Sequence, residues 1–324
     1  MSTLLLSRAE IAGLMRPADY LGAVEAAFRL SKEGRTEAPL PMQIHGVGGA
    51  FHAKGAAMFG ERKLAALKLN ANFPGNPARA LPTIQGAILL CDAETGAVLA
   101  IMDSIEITLR RTAAATALAA KYCAPNGAQT LAVIGCGVQA QAQVEALVDV
   151  LALKRGIAFD VDGNKTDAFL SRMQSVQPFE PALSLRAATL GADVIVTCTT
   201  ARASFLNIGD VSPGAFIAAV GADSPEKAEV APALMAKAAV VTDVLAQCVA
   251  MGDLHHAVKA GAMTPDQVRA ELGDLVVGAS RARRHDDEIV ILDSTGTAIQ
   301  DVASAAAIYE RALERGVGAQ VELA

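Results

Sequence analysis

Between Thr130 and about Asp293 the chain alternates short apolar runs with segments of helical periodicity, and this alternation constrains the fold most strongly. The first run is LAVIG at 131–135, after which an amphipathic helix is indicated by the i, i+3, i+4, i+7 spacing of Val144, Leu147, Val148 and Leu151. The later runs are GIAFDVD (156–162), DVIVTCTT (193–200), GAFIAAVGAD (214–223) and AVVTDV (239–244). Continuous apolar strands separated by helices are typical of a parallel sheet covered on both faces. The segment therefore predicts a doubly wound, Rossmann-type α/β domain.

The first 123 residues follow a different pattern. Residues 66–83 alternate, with Lys68, Asn70 and Asn72 on the face opposite to Leu67, Leu69, Ala71 and Phe73. Residues 84–103 form two apolar runs around an E-T-G turn, which predicts an antiparallel hairpin, and a helix is expected from Ile105 to Tyr122. A last helix within 294–316 is expected to pack back on this part. We therefore expect a second α+β domain formed by 1–123 with 299–324, and a Rossmann domain at 124–298.

The turn after the first apolar run has the pattern G-x-G-x-x-A, formed by Gly135, Gly137 and Ala140. The first glycine permits a tight turn, the second lets the backbone approach a pyrophosphate, and the third small residue lets helix and strand pack closely. The helix N-terminus then offers free N–H groups to the phosphates. Asp160 ends the next strand, where a carboxylate accepts from a ribose 2′-hydroxyl. A purely structural turn is the alternative, but the context favours NAD(H) or NADP(H). Asp160 favours NAD, whereas Lys165 could receive the 2′-phosphate of NADP.

Composition excludes several other classes of protein. The net charge of −6 without a basic stripe excludes nucleic acid as a partner. No apolar run approaches the ~20 residues of a membrane span, and the N-terminus has no signal-peptide core. Five scattered cysteines without a C-x-x-C motif indicate reduced thiols and a cytoplasmic protein. Neither cysteines nor histidines have metal-binding spacing, so no metal is expected.

Three charged residues outside the glycine turn are candidate site residues. Asp223 follows an apolar strand, where ligands bind in open α/β sheets, although it could instead cap a helix beginning at Pro225. Arg111 could clamp a carboxylate or could be solvated, and its neighbour Arg110 cannot share its helix face. Lys68 lies either on a wet sheet face or on the wall of a cleft, and spacing does not choose between them.

Several stretches together resemble the ornithine cyclodeaminase/µ-crystallin family. They are KLNANFPGNPARALPTIQG (68–86), ITLRRTAAATALAA (107–120), VIGCGVQA (133–140), VGADSPEKAEV (220–230) and DEIVILDSTGTAIQD (287–301). They run nearly end to end and in the family's order. The resemblance implies a Rossmann domain, an N-terminal substrate-binding and dimerisation domain completed by the C-terminal helix, and a homodimer.

The resemblance also implies roles for single residues. Arg111 matches the arginine that binds the substrate carboxylate, Lys68 the active-site lysine, and Asp223 the acid/base aspartate beside the nicotinamide. Cofactor contacts are implied at Thr83, Thr112, Gln139, Asp160, Lys227 and Ser294. We add Val138, which opens the helix after the glycine turn, and Thr199, near the end of the strand 193–200.

Departures from the family pattern bear on the reaction. The glutamate that cyclodeaminases carry about a dozen residues before the lysine is missing, and AFHAKGAAMFG (50–60) stands there. The segment MQIHGVGGAFHAKGA resembles the Δ1-pyrroline-2-carboxylate reductases, which act in hydroxyproline catabolism and proline metabolism. His45, His52 and Lys54 could line the substrate pocket, or this glycine-rich segment could be only structural.

The resulting hypothesis is an NAD(P)H-dependent ketimine reductase. Arg111 pairs with the carboxylate of a cyclic imine, and Asp223 donates a proton or stabilises the iminium, so that hydride adds at C2. The product would be L-proline, or L-pipecolate from the six-membered ring. Three alternatives use the same residues: an ornithine cyclodeaminase, a dehydrogenase resembling alanine dehydrogenase, and a µ-crystallin-like NADPH-binding protein without activity.

Overall fold

The computed structural model describes residues 2–323, which form two compact units. The first, here called the mixed-sheet unit, contains the chain up to Arg111 and again from Thr297 onward. The second, here called the parallel-sheet unit, contains Thr112–Gly296. The first change of unit falls inside a long helix, before the limit at residue 123 that the sequence suggested, and Arg111 in that helix is bonded to Asp301 of its own unit.

The described chain begins with the strands and helices that lead up to the parallel-sheet unit. The strands are β1 (Ser2–Leu6), β2 (Thr36–Glu37), β3 (Met42–Gly46), β4 (Gly49–Phe59), β5 (Lys63–Asn72), β6 (Ile84–Asp92) and β7 (Val98–Asp103). The helices are α1 (Arg8–Ala12), α2 (Pro17–Lys32) and α3 (Ser104–Cys123). The long helix and the hairpin β6–β7, which is antiparallel, confirm the two predictions for this region.

The parallel-sheet unit alternates strands and helices along the chain. Its strands are β8 (Thr130–Ile134), β9 (Arg155–Phe159), β10 (Phe179–Pro181), β11 (Val194–Thr197), β12 (Phe216–Ala219), β13 (Ala239–Thr242), β14 (Ala270–Glu271) and β15 (Val290–Asp293). Its helices are α4 (Val138–Leu147), α5 (Gly163–Met173), α6 (Leu185–Thr189), α7 (Pro232–Lys237), α8 (Leu245–Ala250), α9 (Asp253–Lys259) and α10 (Leu272–Val276). The chain then returns to the mixed-sheet unit as α11 (Ala298–Arg315) and β16 (Ala319–Glu322).

The eight strands of the parallel-sheet unit have the order β10-β9-β8-β11-β12-β15-β13-β14, and every neighbouring pair is parallel. The central strands β11, β12, β13 and β15 are buried along their whole length, which explains their continuous apolar sequences. The doubly wound α/β class is therefore confirmed. The strand order reverses between β8 and β11, and in such sheets ligands bind beyond the carboxyl ends of the strands at this switch point.

The mixed sheet has the order β16-β1-β7-β6-β5-β4-β2, with β3 paired to the outer part of β4. Helix α11 packs across β4, β5 and β6. Strand β5 has the predicted alternation of two faces, but the lysine lies on the buried face and the leucines on the exposed one. Lys68 is 3% exposed, whereas Leu67 and Leu69 are 49% and 43% exposed. The interpretation of Lys68 as part of a wet sheet face is therefore wrong, because α11 covers the lysine side of the sheet.

Across residues 2–323, none of the helices combines the length and the apolar composition that crossing a membrane requires.

Candidate functional site

The glycine turn connects β8 to α4 and has the geometry that a pyrophosphate needs. Gly135 has φ 91°, in the region that favours glycine, and a Cβ there would lie 2.8 Å from Thr199 Cγ2. Gly137 precedes the first turn of α4, and a Cβ there would meet nothing within 4 Å, so the backbone is open to approach. Val138, the first residue of α4, is 78% exposed. These residues fit a dinucleotide whose phosphates face the start of α4.

Asp160 follows β9 and, beyond the ribose contact expected from the sequence, accepts two hydrogen bonds from the backbone. Its Oδ2 accepts from the N–H of Cys136 at 2.8 Å, and its Oδ1 accepts from the N–H of Asp162 at 2.9 Å. The carboxylate therefore holds the glycine turn against the next loop. It is only partly buried, and each oxygen has a second lone pair, so a ribose hydroxyl can still bind. Lys165, the alternative phosphate ligand, lies exposed in α5.

A buried glutamate that sequence reasoning missed joins the carboxyl ends of β11 and β12. Glu229 is 0% exposed and accepts from Thr197 Oγ1 at 2.7 Å, Thr199 N at 2.6 Å and Gly221 N at 2.8 Å. Burial raises the pKa of Glu229, while these hydrogen bonds oppose the rise. The glutamate thereby fixes the loop of Thr199 and the loop that carries Asp223 relative to each other. Glu229 is the last but one residue of VGADSPEKAEV and was visible in the sequence, but its burial was not.

Three further acids extend this network along the sheet edge. Asp253 Oδ1 accepts from Glu229 N at 2.7 Å, and Asp293 in turn accepts from the N–H of Leu254 at 2.9 Å. Asp243 accepts from Ser294 Oγ at 3.2 Å and from the N–H of Gly296 at 2.7 Å. Each carboxylate satisfies backbone groups of the next loop, as buried polar groups require. Ser294, expected to contact the cofactor, is 4% exposed and holds Asp243 within this unit.

Two glycine substitutions should show that the stability of the carboxyl edge of the parallel sheet and the binding of the cofactor depend on different glycines. A Cβ at Gly221 would lie 2.5 Å from Thr199 O and would collide with the Glu229 carboxylate, so Gly221→Ala should lower the free energy of unfolding by about 2 kcal/mol or more. Gly137→Ala should cost less than about 1 kcal/mol, because the position is open. It should nevertheless weaken NADH binding ~10-fold or more, since the methyl group would stand where the backbone meets the pyrophosphate. Urea unfolding and NADH fluorescence titration measure the two effects; equal stability of both variants would contradict this account.

Asp223 lies in the loop after β12 and pairs with Lys227, whose Nζ is 2.6 Å from its Oδ1. Its side chain is 53% exposed. No helix begins at Pro225 among the described residues, and the next one is α7, so the helix-cap interpretation is wrong. The chain makes a turn over 224–227 instead, where Lys227 N bonds to Ser224 O at 3.1 Å. The loop presents a carboxylate and an ammonium together at the carboxyl edge of the sheet.

Lys68 and Arg111 converge on one acid in the mixed-sheet unit. Lys68 Nζ lies 2.7 Å from Asp301 Oδ2, and Arg111 Nε donates to Asp301 Oδ1 at 3.0 Å. Arg111 is 4% exposed, so a solvated arginine is excluded, whereas Arg110 is partly exposed and pairs with Glu106. Asp301 was missed from the sequence because an acid in a helix is ordinarily a surface residue. Its apolar neighbours in AIQDVASAAA, and its place at the end of the family-like stretch 287–301, were the available signals.

The other predicted substrate residues lie on strands β3 and β4 of the mixed sheet. Lys54 on β4 pairs directly with Lys68 on β5, and His52 pairs with Asn70 two residues further along. We call Lys54, Lys68, Arg111 and Asp301 the basic cluster. His45 lies on the exposed strand β3.

The remaining cofactor candidates lie before a strand and within helices. Thr83 is partly buried just before β6, Thr112 is partly buried in α3, and Gln139 is partly buried in the first turn of α4. The predicted roles of these residues, and of the substrate residues above, stay predictions.

Comparison with known proteins agrees with this architecture. The model of the ornithine cyclodeaminase/mu-crystallin family matches residues 1–316. An alanine dehydrogenase of Archaeoglobus fulgidus is 37% identical over 328 residues, with 99% of each chain covered. An iminosuccinate reductase of Paracoccus denitrificans is 35% identical over 326 residues, covering 99% of this chain and 100% of that protein.

Solved structures of related enzymes also superpose closely on this chain. An archaeal alanine dehydrogenase dimer with bound NAD superposes with a TM-score of 0.96 at 36% identity, and both chains are covered completely. The Δ1-pyrroline-2-carboxylate reductase of Thermococcus litoralis, in complex with NADH and L-proline, has a TM-score of 0.95 at 30% identity and covers 98% of this chain and 100% of that chain. With the glycine turn described above, these relatives make the protein an oxidoreductase that uses a nicotinamide cofactor. The chain belongs to the ornithine cyclodeaminase/mu-crystallin family.

Proposed function

We propose that this protein reduces a cyclic ketimine that carries a 2-carboxylate, Δ1-pyrroline-2-carboxylate or its six-membered homologue, with NADH or NADPH. The observation that carries the proposal is the pair of buried cations, Lys68 and Arg111, held by a single acid. Two cations around one carboxylate leave positive charge for an anionic ligand. A guanidinium and an ammonium are the groups that proteins use to bind carboxylates.

In the proposed reaction, three residues of the chain have separate roles. Arg111 binds the substrate carboxylate, and Lys68 adds a second positive charge beside it. Asp223 donates the proton to the imine nitrogen or stabilises the protonated C=N by its negative charge. Protonation makes C2 electron-poor, and the bound nicotinamide cofactor supplies the hydride that adds there. Preorganised charges of this kind stabilise the transition state without reorganisation during the reaction.

Asp160 supports NADH over NADPH. Its carboxylate follows β9, and both oxygens are already oriented by backbone N–H groups of Cys136 and Asp162. A 2′-phosphate would meet this negative charge at short range, whereas a ribose hydroxyl would donate to it. We expect kcat/KM with NADH to exceed that with NADPH.

A second candidate is reduction of an open-chain imine, favoured by the alanine dehydrogenase and iminosuccinate reductase among the relatives. One experiment distinguishes the candidates. The purified protein is mixed with NADH or NADPH and with pyrroline-2-carboxylate, piperideine-2-carboxylate, iminosuccinate, or pyruvate plus ammonia, and the loss of reduced cofactor is followed. Ornithine with NAD, assayed for ammonia, detects a cyclodeaminase. Fastest turnover of a cyclic ketimine supports the proposal; cofactor binding without turnover of any substrate would support a µ-crystallin-like binding protein.

The mixed-sheet unit presents an apolar face that a second copy of the chain would cover. Leu67 and Leu89 are direct cross-strand neighbours on β5 and β6, and they are 49% and 36% exposed together with Leu69 at 43%. Exposed apolar patches of this kind mark protein interfaces, and the most common oligomers are twofold dimers. The archaeal alanine dehydrogenase is a dimer. We propose that this chain also forms a homodimer through this face.

Negative charges on the apolar face of β5 should separate the protomers. We expect Leu67→Asp combined with Leu69→Asp to convert the dimer to a monomer in light scattering coupled to gel filtration, because two unpaired carboxylates from each protomer would be buried at the interface, which is strongly unfavourable. Leu183→Asp is the matched control, since Leu183 is fully exposed in the parallel-sheet unit, at 101%. A wild-type monomer, or a dimer in the double variant, would contradict this assignment.

A further inference from the structure

Asp301 is the one acid of the basic cluster, and the roles assigned to single residues in the proposed reaction do not include it. It is 2% exposed on α11, and its two oxygens serve different cations: Oδ2 lies 2.7 Å from Lys68 Nζ and Oδ1 accepts from Arg111 Nε at 3.0 Å. One rigid planar group therefore sets the distance between an ammonium from β5 and a guanidinium from α3. A mobile surface ion pair would not fix such a distance.

The orientation of Arg111 is fixed at a second point. Its Nη1 donates to Gln300 Oε1 at 3.1 Å, and Gln300 precedes Asp301 on the same helix and is itself 0% exposed. Two of the three guanidinium nitrogens are thus bonded to α11, and Nη2 is bonded to no other group in the described part of the chain. The planar guanidinium is therefore held with one nitrogen available for a ligand.

The charges around Lys68 oppose one another. The pKa of Lys68 is lowered to about 7, chiefly by burial; Asp301 from α11 opposes this shift, whereas Arg111 from α3 and Lys54 from β4 add to it. The uncharged Thr108 hydroxyl, 3.3 Å from Nζ, accepts a hydrogen bond from the lysine. The two cations in turn lower the pKa of Asp301 against the effect of its burial, so that this acid stays ionised. Asp301 is therefore the group that stabilises the charged form of the lysine.

We propose that Asp301 is the positioning residue for recognition of the substrate carboxylate: it holds Lys68 and Arg111 in one orientation and keeps the lysine protonated. The anionic end of the substrate then meets two cations that are already placed, and little ordering is required on binding. The role of Asp301 in substrate binding rests on the proposed function; its effect on Lys68 does not.

A substrate-free titration tests the effect on Lys68. The protein is labelled with lysine carrying ¹³C at Cε, the Lys68 resonance is assigned by its loss in Lys68→Met, and its chemical shift is followed against pH. In the wild type we expect a midpoint near neutral pH. In Asp301→Asn the midpoint should fall by about one pH unit or more, because the charge that favours the ammonium is gone. An unchanged or higher midpoint in the folded variant would overturn the proposal.

Kinetics test the consequence for binding. Asp301→Asn should raise KM for the carboxylate substrate ~30-fold or more, with a smaller effect on kcat, because the cations lose their fixed placement. The lysine must be protonated to bind the carboxylate, so kcat/KM falls as pH rises through the pKa of the lysine. This fall is the alkaline limb of the pH profile of kcat/KM, and it should shift to lower pH in the variant. A purely structural role would lower the melting temperature and the active fraction without moving the limb. Glu106→Gln, which removes a carboxylate from the neighbouring Arg110, should leave the limb in place.

A conservative variant keeps the proposal testable if Asp301→Asn does not fold. Asp301→Glu retains the charge and displaces it by one methylene, so we expect the Lys68 titration to stay near its wild-type midpoint while KM rises. A wild-type KM in Asp301→Glu would overturn the positioning role. If none of the ketimines is turned over, the proposed function has failed, and the lysine titration still decides whether Asp301 controls Lys68.

Discussion

Replacing Arg111 by alanine is expected to lower kcat/KM for the ketimine about 10³-fold, mainly through a rise in KM. The guanidinium would supply the two-pronged contact to the substrate carboxylate, and neither lysine of the basic cluster has its planar arrangement of donors. The loss also leaves Asp301 with Lys68 alone, because Arg111 Nε is the other partner of this acid at 3.0 Å. Steady-state kinetics with varied substrate at saturating NADH measure the effect.

Two matched variants show whether the effect belongs to this arginine. Arg111→Lys keeps the charge but not the fork of donors, so it should recover only part of kcat/KM. Arg110→Ala removes the adjacent arginine, which pairs with Glu106 at 2.8 Å on another face of α3, and should stay within about threefold of the wild type. A wild-type KM in Arg111→Ala would show that the substrate carboxylate binds elsewhere.

Replacing Asp223 by asparagine is expected to lower kcat about 10²–10⁴-fold with little change in KM. The substitution keeps the size of the side chain, and an amide can supply neither the acidic proton nor the negative charge that are the two alternative roles of Asp223 in the mechanism. The effect should therefore appear in the chemical step, and single-turnover mixing of the loaded enzyme with substrate should show a slow oxidation of NADH.

The loop of Asp223 offers a close control. Glu226 lies three residues further on, is largely exposed, and pairs with Arg202 at 3.6 Å. Glu226→Gln removes the same charge from the same loop and should leave kcat within about twofold of the wild type. Full turnover in Asp223→Asn would end the proposed acid/base role, whatever the cofactor turn binds.

The fold was predictable wherever local pattern decides structure. The apolar runs at 131–135 and 239–244 became strands β8 and β13 because a strand buried on both faces needs an almost continuous run of apolar residues. The turn at Gly135 was predictable because its left-handed φ of 91° excludes most other residues. The hairpin β6–β7 followed from two apolar runs and a short polar turn.

The site was predictable only in part. The resemblance pointed to Lys68 and Arg111, but which acid they share depended on how α11 packs across the mixed sheet. The role of Glu229 was likewise hidden, because it joins the ends of two strands, and two of its three partners, Thr197 and Thr199, lie about 30 residues before it in the chain. For Asp223, local pattern suggested a helix cap that the tertiary structure does not form.

By itself, the sequence determined a parallel-sheet unit with a nucleotide turn at Gly135 and Gly137, because strand burial, helical periodicity and glycine conformation are local properties. Only the tertiary structure decided that the lysine side of β5 is the covered side and that Leu67 and Leu69 are exposed. Alternation along a strand defines two faces but not which of them is buried, since burial depends on the element that packs against it. Here that element is α11, which arrives from the other end of the chain and brings Asp301 to the two cations.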